Sequence, residues 1–374
     1  MRPCELLTLG LLICSGHVRA ADEKPRLDRA VELLRQTCKR KARGVSLWSV
    51  AGKDGWLFMD DELVHVAAGP FWGEHARKAS RVQRSDERDP LPAILDYRDR
   101  LAARGIELLL VPIPPKAIVY ADKLMDVTDI PLRPDGSLPR LDPAHQAFYA
   151  LLRSKGVEVL DPTELFLAHR REGDTYCKQD HHYSGLGVSL LATRLAERIK
   201  ARPWYRALPE SARSARYLHE RRRVQISGDL WQTFRLKTRE VPEREVLELH
   251  FVGTRAADGS LSPVPTDAHS PVLVFGGSHA LIFHAGGDMQ ARGAGLPDAL
   301  ALLLGFAVDL VATRGDMVHN PRISIYRRAR KRPETIRCKK IFIWVFAARG
   351  FTEHRWSRRI PLMPASAAPA ESSP

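Results

Sequence analysis

The sequence has no cysteine pair at the two-residue spacing of a zinc knuckle. Its five cysteines stand far apart, at 4, 14, 38, 177 and 338. A structural zinc site is therefore not expected. Beyond the first twenty residues, no stretch is long and uncharged enough to span a bilayer. No internal repeat recurs, and the composition excludes collagen, coiled coil and wholesale disorder. No basic run is interleaved with aromatics, so no nucleic-acid partner is expected. Acidic residues are in deficit. The 44 Asp and Glu face 58 Lys and Arg, which leaves a net charge of +14. The arginines are spread along the whole chain, as a codon bias would spread them, although a basic exported protein also suits acidic glycans or anionic membrane surfaces.

What is present is enough apolar material for one large core, or one core with an appendage: 374 residues, 44% of them hydrophobic. The first twenty read as an export signal. Arg2 supplies the positive end, Leu6 to Cys14 a short apolar stretch, and Val18 and Ala20 the small residues of a cleavage site after Ala20. A lipoprotein anchor on Cys14 is disfavoured by the bulk of Ile13. Cleavage would remove Cys4 and Cys14 and leave Cys38, Cys177 and Cys338. An oxidising compartment permits one disulfide among these, with the pairing open.

Residues 21–45 have a helical period through Val31, Leu33, Leu34 and Cys38. Residues 51–75 read as strands and turns around Gly52–Phe58, and 76–90 as a polar surface loop. From Leu91 on, helices alternate with short apolar strands. Helices are expected over 91–104, 143–154, 185–200, 296–304 and 321–331. Strands are expected over 107–112, 157–160, 271–275, 307–312 and 340–346. This alternation predicts a parallel sheet covered on both faces, an α/β/α sandwich with ligands at the carboxyl ends of its strands. Residues 201–270 interrupt the pattern and read as an insertion with a few antiparallel strands. The Ala/Pro/Ser-rich segment 361–374 reads as a disordered tail.

Three motifs fall where that architecture puts a site. In the first, Ser278 follows a buried strand and Gly276-Gly277, which allow a sharp turn and free backbone N–H groups to hold an oxyanion. An ordinary Gly-Gly-Ser turn reads the same way. In the second, Asp180-His181-His182-Tyr183 supplies what a serine nucleophile needs. That is an imidazole to take its proton and a carboxylate to fix the imidazole's tautomer. In extended chain Asp180 and His182 share a side and His181 points away. A metal site built from Asp180, the two histidines and Cys177 is the competing chemistry, and helix capping by Ser184 or Asp180 the bland one. The third motif is Arg314, with Asn320 and Arg322. It follows a strand on the same rim and offers groups for an acyl oxygen or an acidic sugar, or else forms a solvated loop and helix start.

Together these blocks resemble the alginate O-acetyltransferase AlgJ/AlgX-type family, a branch of the SGNH hydrolase-like proteins. The resemblance runs through Gly52-Lys-Asp-Gly-Trp-Leu-Phe58 with Glu62-Leu63, Arg104 to Lys116, Asp180-His-His182-Tyr183, Gly276-Gly-Ser278-His279, and Ile341–Phe346 with Ala347-Ala-Arg349. It covers about residues 45–355. It implies an SGNH hydrolase-like three-layer sandwich with a mostly parallel sheet and permuted motif order, in which the Asp/His pair precedes the serine. The pattern along the chain gives the expected organisation, a signal over 1–20, an N-terminal extension over 21–90 and a domain over 91–360, to which the resemblance adds the acetyltransferase role.

The resemblance further implies an acetyltransferase with Ser278 as nucleophile, His182 as base and Asp180 as its orienting carboxylate. Gly277 and Tyr183 would lie at the oxyanion and substrate. No cofactor and no metal are implied. The expected setting is the periplasm, with the mature chain soluble or peripherally membrane-associated. The expected partners are a polysaccharide acceptor and a membrane-bound O-acyltransferase that supplies acetyl groups. Two positions depart from the family pattern. Gly277 replaces an aspartate, and Tyr183 replaces a tryptophan. The same triad also suits a carbohydrate esterase, and Gly277 motivates a third reading, a polysaccharide-binding protein without catalysis.

Overall fold

The computed structural model describes residues 7–363, except 46, 47, 237 and 239–241. Its centre is a five-stranded, wholly parallel sheet of β3 (Glu107–Ile113), β4 (Glu158–Val159), β8 (Val272–Gly276), β9 (Asp309–Ala312) and β10 (Ile341–Ala347), in the order β4-β3-β10-β8-β9. The continuous apolar runs of β3, β8 and β10 are explained by burial on both faces. Along β10, Ile341, Ile343 and Val345 enter one core, while Phe342, Trp344 and Phe346 enter the other. This is the two-residue alternation of a strand.

The first of these cores is closed by α1 (Leu7–Lys41), α2 (Asp60–Ala68), α6 (Gly185–Lys200) and α7 (Leu296–Leu304). The second is closed by α3 (Pro90–Ala102), α4 (Pro143–Ser154) and α8 (His319–Lys331). The sequence explains these helices locally. The Asp89 side chain accepts from the Leu91 amide at the start of α3, with Pro90 in the first turn. Ser184 caps α6, whose Val188, Leu191, Ala192, Leu195 and Ile199 form one buried stripe.

The expected insertion contains an antiparallel sheet of β5 (Leu218–Gln225), β6 (Val246–Arg255) and β7 (Leu261–Pro263). The segment read as strands and turns is only partly so. β1 (Ser49–Ala51) pairs with β2 (Leu57–Met59), but α2 follows at once. α2 escaped the sequence reading because its first turn, Asp60-Asp61-Glu62, looks like solvated surface and is buried. Asp60 accepts from the Gly44 amide at 2.7 Å, Arg81 pairs with Asp61, and Glu62 accepts from the Lys116 amide at 3.3 Å. Polar partners rather than water satisfy these acids, so their charge misleads. The polar loop over 76–90 contains a helical turn, Ala76–Ala79, and α5 (Thr163–His169) was not foreseen.

The backbone of α1 runs without a break through Ala20, the expected cleavage point. The first six residues of the expected signal, and residues 364–374 of the expected tail, lie outside the described residues, whereas Leu362, at the start of that expected tail, is buried in the second core. Among the described residues no helix is long and apolar enough to cross a membrane.

Candidate active site

The carboxyl ends of β8 and β10 converge on one turn. Gly276 has φ +139, and a Cβ there would lie 1.9 Å from the Val345 carbonyl oxygen, so only glycine fits where the strand leaves the sheet. Ser278 follows, half-buried at the start of a short helical turn.

The loop 175–184 faces it. Cys177 donates its amide to the His182 carbonyl, and Ser184 to the Thr175 carbonyl, which pinches the loop shut. The insertion braces it from outside. The Glu245 carboxylate accepts from the amides of Lys178 and Gln179 at 2.9 and 3.1 Å. The backbone of Gly228 lies so close to the Gln179 carbonyl that a Cβ would sit 2.2 Å from its oxygen.

This scaffold brings Ser278 to His182 across 96 positions of chain, with Asp180 two positions before the histidine. The Ser278 Oγ lies 2.7 Å from the His182 Nε2, and the His182 Nδ1 lies 2.6 Å from the Asp180 Oδ1. Asp180 also accepts from the His182 amide at 3.0 Å, the Asp229 amide at 3.2 Å and the Gln290 side chain at 3.4 Å. Its orientation is thus fixed by partners from three segments. Burial alone would raise the Asp180 carboxyl, but the charge and hydrogen bond of His182 outweigh it and hold the carboxyl below the usual carboxylate range. Burial, then repulsion from His181, pushes the His182 imidazole below its ordinary value, against the pull of Asp180. The pair at neutral pH is therefore a carboxylate beside a neutral imidazole whose Nε2 accepts from the serine hydroxyl.

Four expectations need correction. His181 does not point away, because the chain bends over 178–182 instead of extending. Its ring packs on His182 with centroids 3.7 Å apart, and its Nδ1 pairs with Asp229. The Gly277 amide is not free for an oxyanion, since it donates to the Val345 carbonyl at 3.1 Å. The amides of Ser278 and His279, which have no acceptor among the described residues, are the donors left at that turn. Tyr183 is fully buried, and its hydroxyl donates to the His279 carbonyl, so it anchors the serine turn from behind and does not meet a substrate. Arg322 lies inside the second core, between the rings of Tyr97 and Trp344, and donates to the carbonyls of Val318 and Ser357.

Arg314 is exposed and pairs with Asp288 at 2.7 Å, two residues from the Gln290 that touches Asp180. Asn320 is exposed in the first turn of α8, where its amide donates to Asp316. The competing metal set loses Cys177, whose buried thiol donates to the Tyr183 carbonyl at 3.6 Å. Asp229, Gln290, Glu245 and His279 escaped the sequence reading. Of these only His279, beside the serine, stood in a block that was singled out.

The family model for the SGNH hydrolase-like domain, acetyltransferase AlgX, matches residues 49–317. The probable alginate O-acetylase AlgJ of Pseudomonas aeruginosa is 28% identical over 151 residues, 40% of this chain and 33% of that protein. The AlgJ of Pseudomonas syringae is 26% identical over 161 residues, 43% of this chain and 36% of that protein. The chain thus spans about a third of the length of these curated relatives. Among solved structures, the O-acetyltransferase domain of Pseudomonas putida AlgJ superposes with a TM-score of 0.58 at 21% identity, over 82% of this chain and 92% of that one. Pseudomonas aeruginosa AlgX superposes with a TM-score of 0.55 at 18% identity, over 80% of this chain and 61% of that one. At such identities the superpositions speak for the fold alone, whereas the family model covers well over half of the sequence. The chain therefore belongs to the SGNH hydrolase-like, AlgX-type acetyltransferase family.

Proposed function

We propose that this chain moves acetyl groups onto hydroxyls of a polysaccharide through an acetyl-serine at Ser278. The observation that carries the reading is the unbroken relay from Ser278 through His182 to Asp180, with both links at hydrogen-bond distance. A serine hydroxyl is a weak nucleophile until a base takes its proton. Here His182 Nε2 takes that proton as Oγ attacks the acetyl carbonyl of the donor, and Asp180 steadies the imidazolium. The Ser278 amide faces the oxyanion as it forms. When the tetrahedral centre collapses, the donor's leaving oxygen departs with the proton from His182, and the acetyl group stays on Oγ. A sugar hydroxyl then gives its proton to His182 and attacks the acetyl-serine. Collapse returns the proton to Ser278 and releases the acetylated sugar.

The names of the relatives suggest alginate or a similar exopolysaccharide as acceptor. The reading of residues 1–20 as an export signal supports work in the periplasm, with acetyl groups delivered by a membrane-bound O-acyltransferase.

The test is acetyl transfer from a model ester to oligosaccharide, followed by mass spectrometry. The unaltered chain should give acetylated glycan, and Ser278→Ala should give at most about a thousandth as much. Undiminished transfer by Ser278→Ala removes the serine from the mechanism. Acetate release without any acetylated glycan makes the chain an esterase.

A further inference from the structure

The relay uses one imidazole, but three meet at this turn. A ring nitrogen from each of His181, His182 and His279 lies within 4.8 Å of the other two. The rings of His182 and His279 have centroids 4.7 Å apart, and those of His181 and His279 5.7 Å. The Nε2 atoms of His181 and His279 are both buried, and neither has a hydrogen-bond partner among the described residues. An unpaired buried polar atom costs roughly 1–3 kcal/mol. Two such atoms, on rings that both pack against the His182 ring, mark a place that is incomplete without a ligand for imidazole nitrogens.

The far side of the cluster points to the same class of ligand. The Nδ1 atoms of His181 and His182 are each turned to a carboxylate, of Asp229 and Asp180 respectively. A carboxylate on one ring nitrogen fixes the tautomer and presents the other nitrogen as a strong donor, which is how metal-binding histidines are usually held. Imidazole donors suit zinc, copper, nickel and cobalt rather than magnesium or calcium. In a tetrahedral zinc site, with Zn–N of about 2.0–2.1 Å, the donor nitrogens stand about 3.4 Å apart.

We propose that His181, His182 and His279 form a site for a divalent transition metal, zinc in the first place, and that metal binding there silences the serine. A metal on the Nε2 of His182 takes the lone pair that would accept the Ser278 proton. Occupancy and acyl transfer therefore exclude each other. The binding stands apart from the acyl-transfer reading, and only the silencing rests on it.

Cobalt(II) titration of the full chain carrying Ser278→Ala tests the binding without any turnover. One equivalent should bind with the visible absorption of a tetrahedral site. His181→Gln and His279→Gln, each introduced into that chain, should abolish the band. Asp229→Asn should weaken binding about 10- to 100-fold. X-ray absorption at the zinc edge of the unaltered protein needs no substitution, and it should count three imidazoles on the metal. No saturable site, a band indifferent to His181 and His279, or two or fewer imidazoles overturns the proposal. In the unaltered protein, zinc should suppress ester turnover by about tenfold or more at saturation, and a chelator should restore it. Metal binding in a chain with no ester turnover at all would sink the acyl-transfer reading and keep the site. Normal turnover unaffected by zinc, with no cobalt bound, would do the reverse.

Discussion

The ammonium of Lys116 donates to the main-chain carbonyl of Asp180 at 2.8 Å, from 64 positions earlier in the chain. The same Nζ donates to the carbonyls of Cys177 at 2.8 Å and Lys178 at 3.2 Å, and the rings of Trp56 and Phe58 lie 5.5 Å from it. Lys116 has no exposed surface, and burial pulls its pKa down against the attraction of Cys177, Glu245, Glu62 and Asp180. Three carbonyls on a rigid donor fix the path of the loop that carries the carboxylate and the base.

Lys116→Met keeps the volume and removes the donor. It should lower stability by about 3 kcal/mol, since it leaves buried carbonyls unpaired. Because the side chain touches the loop from behind, kcat for acyl transfer should fall while KM changes little. Denaturant titration and steady-state kinetics on a model ester check both. Unchanged kcat would mean that the loop holds its shape without the clamp.

Gly277 meets Met317 so closely that a Cβ added to it would sit 2.5 Å from the Met317 Cβ. The family's aspartate at this position therefore has no room beside Met317 as it stands, and the clash is with an atom that every residue but glycine carries. Gly277→Ala should cost about 1–3 kcal/mol by overpacking. Met317→Ala should not relieve it, whereas Met317→Gly should, so the double-mutant cycle should couple positively only in the second case. Thermal unfolding of the six chains of the two cycles distinguishes the two cases.

The parts of this molecule that obey a single local rule were legible in the sequence. Ile341–Phe346 reads as a strand buried on both faces, and Val272–Phe275 followed by two glycines reads as a strand that delivers Ser278 to its end. The parts missed are those where partners distant in sequence overrule local preference. α2 was hidden within the expected strands and turns because Asp60, Asp61 and Glu62 carry no local sign of their partners, Arg81 and the Lys116 amide. His181 was placed on the wrong side because an extended chain was assumed, and the bend that turns it inward is set by Gly228 and Glu245 of the insertion. Arg322 looked like a rim cation because its rings, Tyr97 and Trp344, come from other elements. Tyr183 came to the substrate list through the resemblance, and its burial behind the serine turn depends on a contact with His279 from almost a hundred positions away.

Tyr183 gives a clean separation of structure from protonation. Its hydroxyl donates to the His279 carbonyl, one residue beyond the serine, whereas the main influences on His182 are burial, His181, Asp180 and Asp229. Tyr183→Phe should cost roughly 1–3 kcal/mol through the unpaired carbonyl. It should lower kcat by loosening the serine turn and leave the acid limb of the pH profile in place. A shifted limb would show that Tyr183 acts on the base itself.

The pH dependence of kcat/KM reports the base in the free protein. His182 acts only when neutral, so activity should be lost as pH falls through its pKa. Burial and His181 hold that pKa below the ordinary 6.5, and the acid limb should therefore lie below that value. The neighbours act with opposite signs. His181→Gln removes a repulsion that lowers the pKa, so the limb should move up. Asp180→Asn removes the attraction that raises it, so the limb should move down, and kcat should also fall about 10⁴-fold because the imidazole loses the group that fixes its tautomer. Profiles of the three chains on one ester, from acid to neutral pH, decide the matter. If the limb moves the same way in both variants, His182 is not the titrating base.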